Sequence, residues 1–546
     1  MLIDARGIPS DTVVQADVAI VGAGAAGIST ALELASKGLS ICLLESGGTE
    51  LEWANQSLYS GRSIGLPHCP LDVCQLRYLG GNTNAWGGWC RPLEPIDFEP
   101  RSWVPASGWP FSMSELMPYY RRAHEICQVA SDDYDLDLAV AELGHPRAEA
   151  LAFDPSELET VIYRFSPPTR FGQEYRLRLQ RARALRCYLH ANVLGIKADA
   201  AARSVARLLV GTLSGVRFEV TARNYVLAAG GVENARLLLV SNDVVPQGLG
   251  NRYDLVGRYY MDHPHTKRRV VVPSRRLKSG LYGELFRARR IMARIALADS
   301  AQRREKLLGY SANLHPVYFG HESRGWAALR DTALSLSRSR RSDPFHRVPP
   351  YRRKGLSARQ WLDMARFPAH TTAAGLLRIF RPNRFISGFV LESKPEQAPN
   401  AESRVTLDDA RDAFGLRRVK VDWKMLPIDR RTAVRGEELI DQELQRLGIG
   451  ALVPLPPEQI DVWPDNLESG WHQLGTTRMH SDERRGVVDA NARVHGMSNL
   501  YLIGGSIFPT EGTAPPTLTI VALALRLAAH LRRTLTRSNL ETLAAL

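Results

Sequence analysis

The chain has 546 residues, 44% hydrophobic and 23% charged, which is enough apolar material for packed cores and excludes a disordered or fibrous protein. Its 43 glycines cluster instead of repeating, and its six cysteines form no Cys-x-x-Cys pair, so collagen, a disulfide framework and a zinc ribbon are excluded as well. The net charge of +13 is uneven, with most of it falling between His321 and Ile386.

The first residues, Met1 to Arg6, carry no basic region followed by an apolar run, so no secretory signal is expected. The most apolar segments, 17–27 and 519–529, are too short to span a bilayer. A cytoplasmic location is the expectation. Asp17-Val18-Ala19-Ile20-Val21 predicts a buried parallel strand, and Gly22-Ala23-Gly24-Ala25-Ala26-Gly27 follows it directly. A helix is predicted over 28–37 with Gly38 as its stop, then a second strand over 39–44 that ends at Glu45. This strand–turn–helix–strand unit is a dinucleotide-binding pattern. Gly22 makes the tight turn, Gly24 lets backbone N–H groups approach a pyrophosphate, and Gly27 lets helix and strand pack closely. The helix N-terminus offers partial positive charge to phosphates. Glu45 is placed to accept from a ribose diol, and its carboxylate disfavours a 2′-phosphate. The unit alone does not choose between FAD and NAD.

A glycine-rich loop comes next, over 77–89, with Gly80, Gly81, Asn82, Asn84, Trp86, Gly87 and Gly88; such backbone can lie against a flat ligand. Residues 225–239 predict a strand, a turn at Ala229-Gly230-Gly231 and a helix, a return to the nucleotide-binding domain. Further strands are expected over 268–272, 385–391 and 419–423, with a turn region over 392–400 and a short strand over 404–407. Between His321 and Ile386 there are fourteen Lys or Arg against four Asp or Glu, interleaved with residues such as Trp326, Phe345 and Trp361. This insertion predicts either a solvated basic surface or contact with anionic lipid or an acidic partner, which would make the protein peripheral at the inner membrane face. No nucleic-acid motif accompanies the charge. Near the end, His472-Gln473-Leu474-Gly475-Thr476-Thr477 precedes a predicted strand over 499–506 with Gly505 and Ser506 at its end. A loop then leads through Pro515 and Pro516 to a helix predicted from Thr517 to His530.

With these motifs in this order, at the N-terminus and near 80–90, 225–239, 257–264 and 463–530, the chain resembles the glucose–methanol–choline (GMC) family of FAD-dependent oxidoreductases. The loop over 80–88 and the ending Pro516-Thr517-Leu518-Thr519-Ile520 look most like the pyranose oxidase and sugar dehydrogenase branch. The resemblance implies an α/β fold: a Rossmann-like FAD-binding domain plus an α+β substrate domain with an antiparallel sheet. The FAD-binding domain would be discontinuous, over 1–95, 185–270 and 456–546. The substrate domain would take 96–184 and 271–455, with the basic insertion inside it. By the same resemblance, the cofactor would meet Gly22, Gly24, Ala26, Gly27, Glu45, Gly81, Asn82, Asn84, Trp86, Gly87, Val193, Ala229, Gly230, Gly505, Ser506, Pro516 and Thr517. Val193 would lie beside the adenine, and the helix N-terminus at Thr517 against the flavin pyrimidine. Some members of the branch bind flavin covalently through a histidine before the loop tryptophan. Ala85 stands there, so non-covalent FAD is expected.

The implied reaction oxidises an alcohol, such as a sugar, polyol or hydroxylated natural product, by hydride transfer to flavin N5 while His472 takes the hydroxyl proton. The electron acceptor, oxygen, a quinone or a protein, stays open. His263, His480 and His495 read as structural. The family usually places a second polar residue where this chain has Pro515, which has no side-chain or backbone donor. Thr513, with Thr510 and Glu511 beside it, is the expected substitute. The gap keeps a non-redox lyase on the same scaffold open, beside an NAD-dependent dehydrogenase and a catalytically inactive flavin-binding module. No metal site is expected.

Overall fold

The computed structural model describes residues 1–275, 277, 280–318, 386–460 and 462–545. The basic stretch from His321 to Phe385, and with it the expected lipid or partner contact, lies outside the described residues. Among the described residues no helix is long and apolar enough to cross a membrane.

The first sheet has eight strands. Leu2–Asp4, Leu185–Leu189, Ile41–Leu44, Val13–Val21 and Arg217–Leu227 lie side by side and parallel, and Leu500–Leu502 pairs parallel with the end of Arg217–Leu227. Val205–Gly211 and Asn192–Ala198 continue the sheet antiparallel. Val18, Ala19, Ile20, Leu43, Val226 and Leu227 are buried, the continuous apolar pattern of a sheet covered on both faces. Each Val, Ile or Leu side chain so buried contributes roughly 1.5–3 kcal/mol relative to exposure. The first helix, Ala25–Ala35, starts earlier than the apolar periodicity suggests, because Gly24 serves as its N-cap and Ala25 and Ala26 form its first turn. It packs on the C-terminal helix Thr517–Ala545, as does Met113–Ile126. That last helix runs well past the predicted end at His530.

The second sheet is antiparallel, in the order Gly450–Leu452, Pro264–Pro273, Ile386–Pro395, Tyr310–Tyr318, Ile291–Leu297, Leu158–Phe165 and Trp89–Cys90. One face carries Ile162, Ala293, Ile295, Ala312, Leu314 and Leu391, which form a second apolar core with the helix Pro427–Arg446. The opposite face carries Arg294, Glu392 and Lys394, which line a cavity.

Three features differ from the sequence-based expectation. Pro264–Pro273 and Trp89–Cys90 belong wholly to the antiparallel sheet, so its strands reach into the segments 1–95 and 185–270. The strands Arg404–Arg411 and Arg417–Trp423 join neither large sheet. They form a three-stranded sheet with Arg62–Gly65, and Val405, Val419, Val421 and Trp423 are buried in the first core. Finally, the turn expected from Glu392 is a strand through Pro395; Glu392 and Lys394 point away from the apolar core, as alternation in a strand requires.

Candidate active site

The carboxyl ends of the parallel strands, the starts of two helices and the polar face of the antiparallel sheet enclose a cavity of about 1350 Å³. That exceeds the usual range for a drug-sized ligand and leaves room for a dinucleotide with a small substrate. Its nucleotide end is built at Gly22, where φ is 99°; a Cβ there would sit 2.6 Å from the Ala228 carbonyl oxygen. A Cβ on Gly27 would come within 1.8 Å of the Gly22 carbonyl oxygen, so the first helix packs on the strand end only because that residue is glycine. Gly24, Gly230 and Gly504 line the cavity, and a Cβ on any of them would meet no atom within 4 Å. Bare backbone thus faces open space at three places around one long cavity, a cradle that fits the extended FAD molecule. Glu45 braces this end by accepting from the Ala23 and Gly47 N–H groups, at 2.9 Å each. A carboxylate has about four acceptor sites, so capacity for a ribose hydroxyl remains.

Of the residues expected around the cofactor, Gly22, Gly24, Ala26, Glu45, Gly81, Asn82, Trp86, Gly87, Val193, Ala229, Gly230, Gly505, Pro516 and Thr517 line the cavity, together with Ala85. Gly27, Asn84 and Ser506 do not, and each acts from behind the wall. Gly27 is the helix–strand contact just described. Asn84 donates to the Leu79 carbonyl and holds the glycine-rich loop. The Ser506 hydroxyl accepts from Asn234, which ties the C-terminal loop to the turn at Ala229.

His472 and Thr513 also line the cavity. The segments around Met261 and Leu474 run antiparallel, with reciprocal backbone hydrogen bonds of 3.1 and 3.0 Å. Trp471 has φ of 62°, a left-handed conformation that is costly for a bulky residue and that turns the chain just before the histidine. The His472 N–H then donates to Asp262 Oδ1 at 2.9 Å. The imidazoles of His263 and His472 meet edge to face, with Nδ1 to Nδ1 at 2.9 Å.

The tautomers follow from one carbonyl. Gly512 O can only accept, so His263 Nε2, 2.8 Å away, carries a hydrogen. Burial lowers the His263 pKa to about 4, so the ring is neutral and its Nδ1 is bare. His472 Nδ1 must therefore donate to it. The His472 Nε2 is left without a proton, as a lone pair. Burial, then His263, Lys394 and Arg294, hold the His472 pKa well below 6.5, so this lone pair persists at neutral pH. His263 had read as structural; its position in the cavity wall against His472 makes it a positioning residue. His480 and His495 do lie outside the cavity.

Pro515 lines the cavity. Among the three nearby candidates to replace its missing donor, Thr510 is committed to the Asp97 carbonyl and Trp109 Nε1. Glu511 accepts from the Gln397 N–H behind the wall, and burial raises its pKa well above the carboxylate range. Thr513 alone of the three reaches the cavity.

The antiparallel sheet adds a set of charged residues that the sequence reading missed: His265, Lys267, Arg294, His315, Glu392 and Lys394 all line the cavity. Glu392 pairs with Lys394 at 3.1 Å, His315 at 3.0 Å and Lys267 at 3.3 Å. Burial, and then Arg294, lower the Lys394 pKa to about 7. The period-two alternation of the strand Ile386–Pro395 continues through Glu392 and Lys394, and that spacing is the signal in the sequence for their shared face. Among the described residues no His, Cys, Asp and Glu cluster could hold a metal ion.

A family model described as FAD dependent oxidoreductase matches residues 17–356, and one described as GMC oxidoreductase matches 399–524. The chain is 24% identical to the 2-methyl-1,2-propanediol dehydrogenase of Mycolicibacterium austroafricanum, over 95% of each chain. It is 25% identical to the paromamine 6'-oxidase of Streptomyces fradiae, over 93% of this chain and 90% of that one. The solved pyridoxine 4-oxidase from Mesorbium loti shares the fold, with a TM-score of 0.57 at 18% identity over 95% of this chain and 99% of that one. The glycine cradle, the two-sheet architecture and these matches together place the chain among the FAD-dependent oxidoreductases that act on CH–OH donors, in the GMC family.

Proposed function

We propose that the protein oxidises an alcohol carbon of a sugar, polyol or hydroxylated natural product, with non-covalent FAD and with His472 as the base. The observation that carries this reading is that His472 lines the cavity with its Nδ1 engaged by His263, itself held by Gly512 O, an arrangement that leaves Nε2 as the nitrogen without a proton. Bound FAD would supply the acceptor for the hydride. The protein supplies the rest. His472 Nε2 receives the hydroxyl proton as the C–H bond breaks, and the Thr513 hydroxyl donates to the substrate oxygen where Pro515 offers no donor. Thr517 places the N-terminus of a long helix in the cavity wall, where its partial positive charge would favour negative charge on a bound flavin. The sugar dehydrogenase branch is our reading of the loop over 80–88 and of the Pro516-Thr517 ending. Identification of a carbonyl product formed in one-to-one ratio with reduced acceptor tests the assignment. Running that assay with oxygen, a quinone and a dye separates oxidase from dehydrogenase. A second reading, a non-redox lyase, draws support from Pro515; conversion of substrate without any acceptor would favour it.

Two expectations follow for solution work. Ala85 has no nucleophile, so acid precipitation releases all the flavin into the supernatant; flavin left in the pellet contradicts non-covalent binding. A base needs its lone pair, so activity rises with pH through the His472 pKa and is already on its plateau at pH 6.5. Replacement His263→Ala removes the acceptor that keeps the proton on His472 Nδ1 and, with it, the second largest cause of the lowered His472 pKa. The variant is expected to lose about 10–100-fold in kcat/KM, as for other residues that orient a reacting group. Its acid limb moves up toward the ordinary histidine value. A pH profile identical to that of the parent contradicts the positioning role.

A further inference from the structure

We propose that the alcohol substrate carries a compact anionic group, a carboxylate or phosphate, held by Arg294 and Lys394. The inference rests on the alcohol-oxidation reading and names the substrate class for the same site. Arg294 is 2% exposed and Lys394 9%, so both basic groups are nearly withdrawn from bulk water, and Lys394, with its pKa lowered to about 7, takes up its full charge when an anion joins it. Both stack on the Trp89 ring, at 4.5 and 4.8 Å from its centroid. A buried charge is stable only when paired. Lys394 has Glu392, a carboxylate shared with His315 and with Lys267, which also reaches Glu468 at 3.9 Å. Arg294 donates to the neutral Ser311 hydroxyl, its Nε has no hydrogen-bond partner, and no carboxylate among the described residues lies within 4.0 Å of it. Arg294 therefore stands in the cavity wall as a guanidinium with no described carboxylate partner.

Position adds the second half. Arg294 also lies 4.7 Å from the centroid of Tyr163, whose hydroxyl donates to the Thr513 carbonyl at 3.4 Å. One aromatic ring thus separates the guanidinium from the loop that ends at Pro515, and His472 opens onto the same cavity. An anion seated on Arg294 and Lys394 would anchor one end of a small molecule while its carbinol lies near His472. A guanidinium and an ammonium, 4.5 and 4.8 Å from the centre of the one Trp89 ring, offer donors that suit the oxygens of a carboxylate or phosphate. The same wall repels an amino-bearing alcohol.

The test uses the FAD-loaded enzyme and four probes that need not react: succinate, inorganic phosphate, erythritol and putrescine. Binding is read by calorimetry and by perturbation of the flavin absorbance. Succinate or phosphate is expected to bind at least about tenfold more tightly than erythritol, the contrast that charge-assisted hydrogen bonds bring. The two anions distinguish carboxylate from phosphate recognition. Arg294→Gln and Lys394→Met should each lose most of that preference, Arg294→Lys should keep part of it, and erythritol binding should stay as in the parent. Equal binding of all four probes, or preference for putrescine, overturns the proposal, as does an anion preference that survives both variants. If anions bind as expected but no alcohol of any charge reduces the flavin, the alcohol-oxidation reading fails while the anion site stands.

Discussion

His472→Ala is expected to leave a folded, yellow protein whose flavin is reduced by substrate about 10²–10⁴-fold more slowly than in the parent, the usual contribution of a positioned base. The colour should persist because His472 is one wall residue among many, and the nucleotide end of the cavity is built on Gly22, Gly24 and Glu45. The rate should fall because no other described group stands in for its Nε2. His263 is neutral, but its two ring nitrogens are engaged with Gly512 O and His472. Stopped-flow reduction under anaerobic conditions checks this. A variant that reduces its flavin at the parental rate removes His472 from the chemistry.

The largest effect on stability is expected at a buried ion pair outside the cavity wall. Arg101 donates two hydrogen bonds to Glu396, at 2.9 and 2.5 Å, with both side chains fully buried. Glu396 also accepts from the Gly309 N–H at 2.8 Å. The pair ties the segment after the first glycine-rich loop to the chain just beyond Ile386–Pro395, whose Lys394 faces the cavity. Arg101→Met leaves a buried carboxylate without its counter-ion and should lower the unfolding free energy by about 3–5 kcal/mol. Changing the partner as well, Arg101→Met with Glu396→Gln, keeps an acceptor for Gly309 and removes the lone charge, so most of the loss should return. Denaturant unfolding of the two variants measures both. A loss under about 1 kcal/mol in the single variant, or no recovery in the double, contradicts the role given to the pair.

The parts of the site that were legible in the sequence are those made locally. The turn from Gly22 to Gly27 is written in consecutive residues, because Gly22 and Gly27 answer contacts at the turn itself or at the adjoining strand end, and Gly24 leaves bare backbone toward the cavity. His472 stood out through its own segment, and Pro515 was visible as a missing donor and does line the cavity. What escaped was made by distant pairing. His263 gains its role only when residues 261 and 474 come together across the chain. Glu392 and Lys394 looked like the start of a turn because a charged residue in a strand usually means solvent. Here the strand continues and its polar face borders a cavity instead of water. The strands 404–411 and 417–423 were misplaced for a similar reason: their apolar residues say that they are buried, not against which core.

The most direct test is anaerobic addition of candidate alcohols, neutral and acidic, to the purified yellow enzyme while its absorbance is followed. Bleaching of the flavin, with one equivalent of carbonyl product per flavin and return of the colour on adding an acceptor, is the result expected. A colourless protein, or a flavin that stays oxidised while an alcohol substrate is consumed, would contradict hydride removal at this site.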